Sequence, residues 1–229
     1  MKKISKMNEA AWLCGILLCG FGVALCTKAD FGLSMIAAPP YILHLKLQTF
    51  LSFYTQGTSE YVWQAVLLIL LCLIIRRFSP KYLFSFGTAV LSGFAIDFWI
   101  FILGGGAPYE ALWLRIFTFV LGELITALAI AFFFRTSMPL QIYELTVTEI
   151  SRVYGQPTAK IKQISDAVML AVAILFAVFV NRAPDGIGIG TLIITAVNAP
   201  LISMFGRILD KLFIFDARFP KLVDLLKVE

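Results

Sequence analysis

Few side chains in this sequence can do chemistry, and most of those stand inside apolar runs. Glu123, in FVLGELITA, lies about ten residues into such a run. A carboxyl group there must be neutral, paired or solvated, so it offers reversible proton binding or attraction for a cationic group. Asp97, in AIDFWIF, lies in the outer part of another run and stands next in line for the same chemistry. Asp166 is only a turn or two from the end of its run and can reach water. Lys28 and Arg135 fall near run ends, where a long side chain either snorkels to the interface or meets an anionic group. Gln141, Glu144 and Glu149 follow at spacings of three and five, and Ser34 sits in a stretch broken by glycine and proline. The expected substrate-binding set is Ser34, Gln141, Glu123, Asp97, Lys28 and Arg135, with Glu123 as the proton-coupling group.

Catalysis finds no support in these residues. The one histidine, His44, lies in a short segment without a serine, cysteine or carboxylate partner in any hydrolase pattern. Neither HExxH nor a carboxylate pair at useful spacing occurs, and no Walker motif is present. The chain is therefore expected not to be an enzyme and to need no cofactor or metal. Any transport would run on a gradient or on a partner's ATPase. Cys14, Cys19, Cys26 and Cys72 all lie in apolar runs without CxxC spacing, which indicates neither a zinc site nor a disulfide framework. GIGIGT at 186–191 follows no strand and opens an apolar run, so it is not a dinucleotide fingerprint.

The elements that must position these residues follow from composition. The chain has 229 residues, of which 60% are hydrophobic and 14% charged, with a mean hydropathy of +0.89. That is too apolar for a soluble domain and describes an integral membrane protein. The net charge of +5 implies no nucleic acid, because the basic residues gather in gaps between apolar runs and suit anionic headgroups. The start, MKKISKMNEA before an apolar run, imitates a secretory signal, and VALC at 23–26 hints at a lipoprotein site. Leu25 is too large for that site and further runs follow, so a retained first helix is expected.

Six runs are long enough to cross a bilayer: 11–27, 61–76, 82–103, 112–134, 164–181 and 187–206. Two shorter segments, 28–46 and 135–152, are apolar but broken. Lys2, Lys3 and Lys6, the RRFSPK loop, the SRVYGQPTAKIK stretch and the tail carry the basic charge, whereas GGGAPYEALW and NRAPDG carry almost none. Six crossings with both termini in the cytoplasm put every basic region inside. This localises the chain to the cell (plasma) membrane as a multi-pass protein, in contact with lipid.

Aligning Lys28 with Arg135 sets Gly32 on Pro139, Leu33 on Leu140, Ser34 on Gln141 and Met35 on Ile142. Further on, Gly87–Thr88 meets Gly190–Thr191 and, with a gap of three residues, Asp97 meets Ser203. Each half has three crossings, an odd number, so the halves must be inserted upside down to each other. The divisions are an amino end at 1–10, a first repeat at 11–103, an external loop at 104–111, a second repeat at 112–206 and a tail at 207–229. Inverted repeats with discontinuous helices place irregular backbone where it lines a cavity. Segments 28–46 and 135–152 are expected to be such twins, the other placement being a surface loop followed by an interfacial helix. Small residues at Ala11, Gly15, Cys19, Gly22 and Cys26 form one helical stripe, read as a packing surface.

GFGVALCTKADFGLSM, followed by GTAVLSGFAIDF, resembles bacterial integral membrane proteins of the YczE/YyaS/YitT type, with YczE the nearest. The likeness covers most of residues 10–206 and rests on Ala29, Phe31, Gly32 and Ser34 in an A-x-F-G-x-S pattern. After that serine the chain reads MIAAPP, where the family has a proline- or tryptophan-rich stretch. The resemblance implies a polytopic bacterial membrane protein and carries no substrate or catalytic residues.

The fold class expected is an all-α polytopic membrane protein of six transmembrane helices and two short broken or re-entrant segments, in two inverted-topology repeats. The expected function is a small-molecule secondary transporter or permease. The alternatives are a substrate-binding membrane subunit that needs an energising ATPase partner, and a non-transporting scaffold for biosynthetic enzymes. A homodimer fits any of these.

Overall fold

Residues 6–182 and 185–226 are described by the structure, a computed structural model. Lys2, Lys3, Lys227 and part of the NRAPDG loop, which entered the charge argument, lie outside the described residues. The helices are α1 (Asn8–Ala29), α2 (Ala38–Leu47), α3 (Gln56–Ile75), α4 (Tyr82–Ile102), α5 (Leu112–Phe133), α6 (Ile142–Tyr154), α7 (Thr158–Leu175), α8 (Ile189–Leu212) and α9 (Pro220–Leu226). A π-helical turn, Phe176–Asn181, continues α7. Six of these, α1, α3, α4, α5, α7 with its π turn, and α8, are long and apolar enough to cross a membrane.

The first break lies slightly later than the sequence placed it, and the second falls where it was expected. Helix α1 runs on to Ala29, so Lys28 belongs to its last turn, and Asp30 ends it in the left-handed conformation (φ 52°). Gly32 then turns at φ +101°, which only glycine adopts without strain, and its face is closed by Gly188 and Thr191 of the α8 approach. In the second half α5 runs to Phe133 and the chain is irregular from Phe134 to Gln141.

Both short helices start inside the bundle and turn back toward the face from which their segment entered. After α5 the chain passes Asn8, whose Oδ1 accepts from the Ser137 N–H at 2.7 Å. Pro139 O then accepts from Trp12 Nε1 and Thr88 Oγ1, and Gln141 meets Ser92 and Gln64 in the middle of their spans. Helix α6 returns from there, and its last residue, Tyr154, donates to Ile74 O at the end of α3. The first half mirrors this path from the opposite face. Leu33 N–H donates to Gly186 O, Ala38, Pro39, Pro40 and Ile42 are buried, and α2 leads back out to the loop before α3. His44 Nδ1 holds that loop at Tyr54 O, 3.1 Å away.

The halves correspond in register. Thr88 binds the second break at Pro139, while Thr191 lies against the first break at Gly32. These are the partners that the alignment of Gly32 with Pro139 and Thr88 with Thr191 requires of an inverted pair. The packing repeats likewise: α1 on α4 and α5 on α8, α3 on α6 and α7 on α2, with α1 against α5 as the largest contact at the centre. The small stripe of α1 is that contact: Gly15 faces Phe133 and Ala129, and Gly22 faces Gly122 and Thr126.

One pair breaks the symmetry. Helices α3 and α4 pack closely, backbone to backbone at Gly57 and Gly93, whereas their counterparts α7 and α8 stand apart. The start of α1 and the chain after α8 meet on one face, where Glu9 accepts from the Arg218 and Phe219 N–H groups at 3.0 and 2.8 Å. An even number of crossings brings the two ends together in this way.

Candidate functional site: a polar chamber between the halves

Where the two breaks approach each other, helices leave an enclosed chamber of about 40 Å³. Its walls come in counterpart pairs, in the register that sets Lys28 on Arg135: Cys19 and Thr126, Val23 and Ile130, Ser34 and Gln141, Ile36 and Tyr143, Ala37 and Glu144. The chamber thus lies on the pseudo-two-fold axis. Irregular backbone is tolerated at this depth because it faces protein and cavity rather than lipid.

A hydrogen-bonded chain lines one side. Glu60 Oε1 accepts from Gln64 Nε2 at 3.1 Å, and Gln64 Nε2 also donates to Gln141 Oε1 at 3.2 Å. Gln64 Oε1 caps the start of α6 by accepting from the Ile142 N–H at 3.0 Å, and Gln141 Nε2 donates to Ser92 Oγ at 3.0 Å. The Tyr143 hydroxyl faces Glu60 closely enough to interact with its carboxyl group. Glu144 Oε2 and Asn198 Oδ1 are buried and unbonded. These acceptors need donors, since a buried polar atom left unpaired costs about 1–3 kcal/mol.

The chamber opens between α7 and α8 into a vestibule of about 600 Å³, and Ser34, Ile36, Ile130, Glu144 and Asn198 border both spaces. Lys162 and Asp166, ion-paired at 2.6 Å, stand on its α7 wall. No equivalent opening separates α3 from α4, where Asp97 joins the helices by accepting from Thr55 Oγ1 at 2.6 Å and the Gly57 N–H at 2.8 Å.

Of the residues singled out from sequence, Ser34 and Gln141 meet at the chamber. Glu123 is buried one helical turn from Thr126, between α1 and α5 and close to Cys26, with Oε1 unbonded. Asp97 is engaged at the start of α3, as above. Lys28 stacks on Tyr109, its Nζ 4.6 Å from the ring centre, and Arg135 forms a two-bond pair with Asp210 at 2.7 and 2.8 Å. Lys28 and Arg135 occupy equivalent positions on opposite faces, each at the end of its span. Glu149 accepts from Tyr82 at 2.6 Å and from Arg152 at 2.7 Å, which holds the Arg152 guanidinium above its ordinary pKa.

Glu60, Gln64, Ser92, Tyr143 and Asn198 were not singled out from sequence. Glu60 and Gln64 sit at i and i+4, one face of a helix, and that spacing was a usable signal. The apolar run begins at residue 61 and leaves Glu60 outside it, whereas α3 starts at Gln56 and carries Glu60 one turn inside.

A family model described as a family of unknown function, DUF6198, matches residues 6–207, which span the whole bundle. The uncharacterized protein YyaS of Bacillus subtilis (strain 168) is 25% identical over 203 residues, covering 87% of this chain and 92% of that protein. No solved structure matches the chain. The match to YyaS agrees with the resemblance drawn from the A-x-F-G-x-S stretch.

Proposed function

The chain belongs to the DUF6198 family, and from that premise we propose that it is a small-molecule secondary transporter or permease of the cell membrane. The observation that carries this reading is the chamber itself. It holds several polar side chains among apolar ones, lies between the two breaks at mid-bundle, and opens between α7 and α8. Discontinuous helices around a mid-membrane site, with one counterpart pair open and the other closed, are what alternating access requires.

In this reading Ser34, Gln141 and the polar chain from Glu60 to Ser92 contact the solute. Glu123, one turn beyond the chamber wall, carries the coupled proton. Lys28 and Arg135 anchor span ends at the two faces, and Asp97 closes the outer side. Both termini are cytoplasmic, so the vestibule faces the cytoplasm.

A second reading draws on the sparse cover of α7 and α8: only 17% of each span window is buried, against 39–50% for the other four. Such faces suit a second copy or an energising ATPase partner, which would make the chain a substrate-binding subunit.

The test is a solute uptake screen in proteoliposomes holding the full chain, with and without an imposed proton gradient. Accumulation that collapses with the gradient supports the secondary transporter. Solute binding without flux, with flux restored by a co-purified ATPase, replaces it with the subunit reading. Neither binding nor flux overturns both and leaves the scaffold.

A further inference from the structure

Several oxygens around the chamber lack a full set of partners. Glu144 Oε2 and Asn198 Oδ1 have no partner, and Glu60 is met by one amide of Gln64. Tyr143, only 6% exposed, turns its hydroxyl to the same space beside Glu60. Among the described residues no lysine, arginine or histidine lines the chamber, and Lys162 of the vestibule wall, which acts on Glu144 from a distance, is ion-paired with Asp166 at 2.6 Å. Glu60 is buried without a cation, and Glu144 shares the one nearby cation, Lys162, with Asp166, so an anionic solute would be strongly disfavoured here. A group with several N–H donors and a positive charge satisfies the open acceptors and balances Glu60 and Glu144 together. The chamber's 40 Å³ exceeds the roughly 10–15 Å³ that one water needs, which leaves room for a small head group. Beyond the mouth the walls turn apolar, with Met35, Ile130, Phe134, Leu170, Ile194 and Ile202, so whatever is attached to the head meets hydrocarbon.

Resting on the transporter reading above, the geometry points to an organic ammonium ion with an apolar body as the solute. The head sits between Glu60 and Glu144 beside Tyr143, and the body lies in the vestibule between α7 and α8.

The test uses the full chain in lipid nanodiscs and three probes of matched shape: 2-phenylethylamine, 2-phenylethanol and phenylacetate. Calorimetry at neutral pH is expected to show binding of the amine, binding of the alcohol at least about tenfold weaker, and none of the acid. E60Q and E144Q, which keep shape and remove charge, are each expected to weaken amine binding by at least about tenfold, and Y143F by less. The assignment is overturned if the amine does not bind, if the alcohol or the acid binds as tightly, or if the E60Q/E144Q double variant binds the amine unchanged. The comparison of the three probes on the unaltered chain needs no variant to fold. Flux in proteoliposomes separates this inference from the reading it rests on. Amine that binds through Glu60 and Glu144 but is never moved overturns transport and leaves the cation site. Flux of a neutral or anionic solute without competition from the amine overturns the cation site and leaves transport.

Discussion

The Glu123 carboxyl group of α5 is buried near Cys26 of α1, and one of its oxygens has no partner. A carboxylate near the bilayer centre costs about 2.5–3.5 kcal/mol on insertion scales unless it is paired, solvated or neutral. With no cation beside it, the group is best accommodated with a proton. Glu123→Gln keeps the shape and half of the hydrogen-bonding capacity, so the variant should fold and should still exchange solute. It should lose accumulation against a gradient, read as uptake with and without imposed ΔpH. Uptake with unchanged pH dependence would make Glu123 a packing acid and move the coupling to Glu60 or Glu144. Asp97, with both oxygens engaged at the start of α3, is no longer next in line.

At the scale of elements, close helix approach depends on a few glycines, and they differ in what they face. A Cβ on Gly22 would meet Gly122 O at 2.8 Å and the Thr126 backbone N at 2.9 Å, inside the contact that joins the two halves. Nothing lies within 4 Å of a Cβ on Gly87, although it belongs to an equally small-residue-rich helix. Gly22→Val should therefore push α1 off α5, costing on the order of 1–3 kcal/mol or preventing assembly. Gly87→Ala should leave stability unchanged or slightly raised, because alanine is the better helix former. Thermal unfolding in detergent measures both, and equal losses for the two would mean that the α1–α5 contact is not the seam of the molecule.

The whole molecule is lopsided: its halves share a fold but α3–α4 is closed and α7–α8 is open. If the opening is the route to the chamber, bridging Leu170 to Ile194 across the vestibule should stop transport while leaving the protein folded. The measurement is uptake before and after a bifunctional thiol reagent, with L170C and I194C placed in a background free of Cys14, Cys19, Cys26 and Cys72. Undiminished uptake would remove the vestibule from the pathway. Orientation has its own check. In the same background, an impermeant thiol reagent applied from outside should reach a cysteine at Gly106 and not one at Ser79. The reverse result would invert the topology and turn the vestibule outward.

How much of this was legible beforehand depended on range. Span number and class follow from the lengths of uninterrupted apolar runs, because hydrocarbon demands about 20 such residues of any helix that crosses it. The duplication followed from a register shared by Gly32, Ser34, Thr88 and their counterparts, and the odd number of crossings per half made inversion obligatory. These are properties of one stretch, or of two stretches compared, and the residues alone determine them. What Asp97, Arg135 and Lys28 do is a matter of partners far along the chain: Thr55 and Gly57, Asp210, and Tyr109. The same holds for the chamber, where Glu60, Gln141, Ser92 and Asn198 come from four different helices or their caps. A charged residue in an apolar run has the same local signature whether it caps a neighbour, pairs at the interface or faces a cavity. Only the packing of the two halves, which sets what each side chain meets and which counterpart pair stands open, decided among these roles.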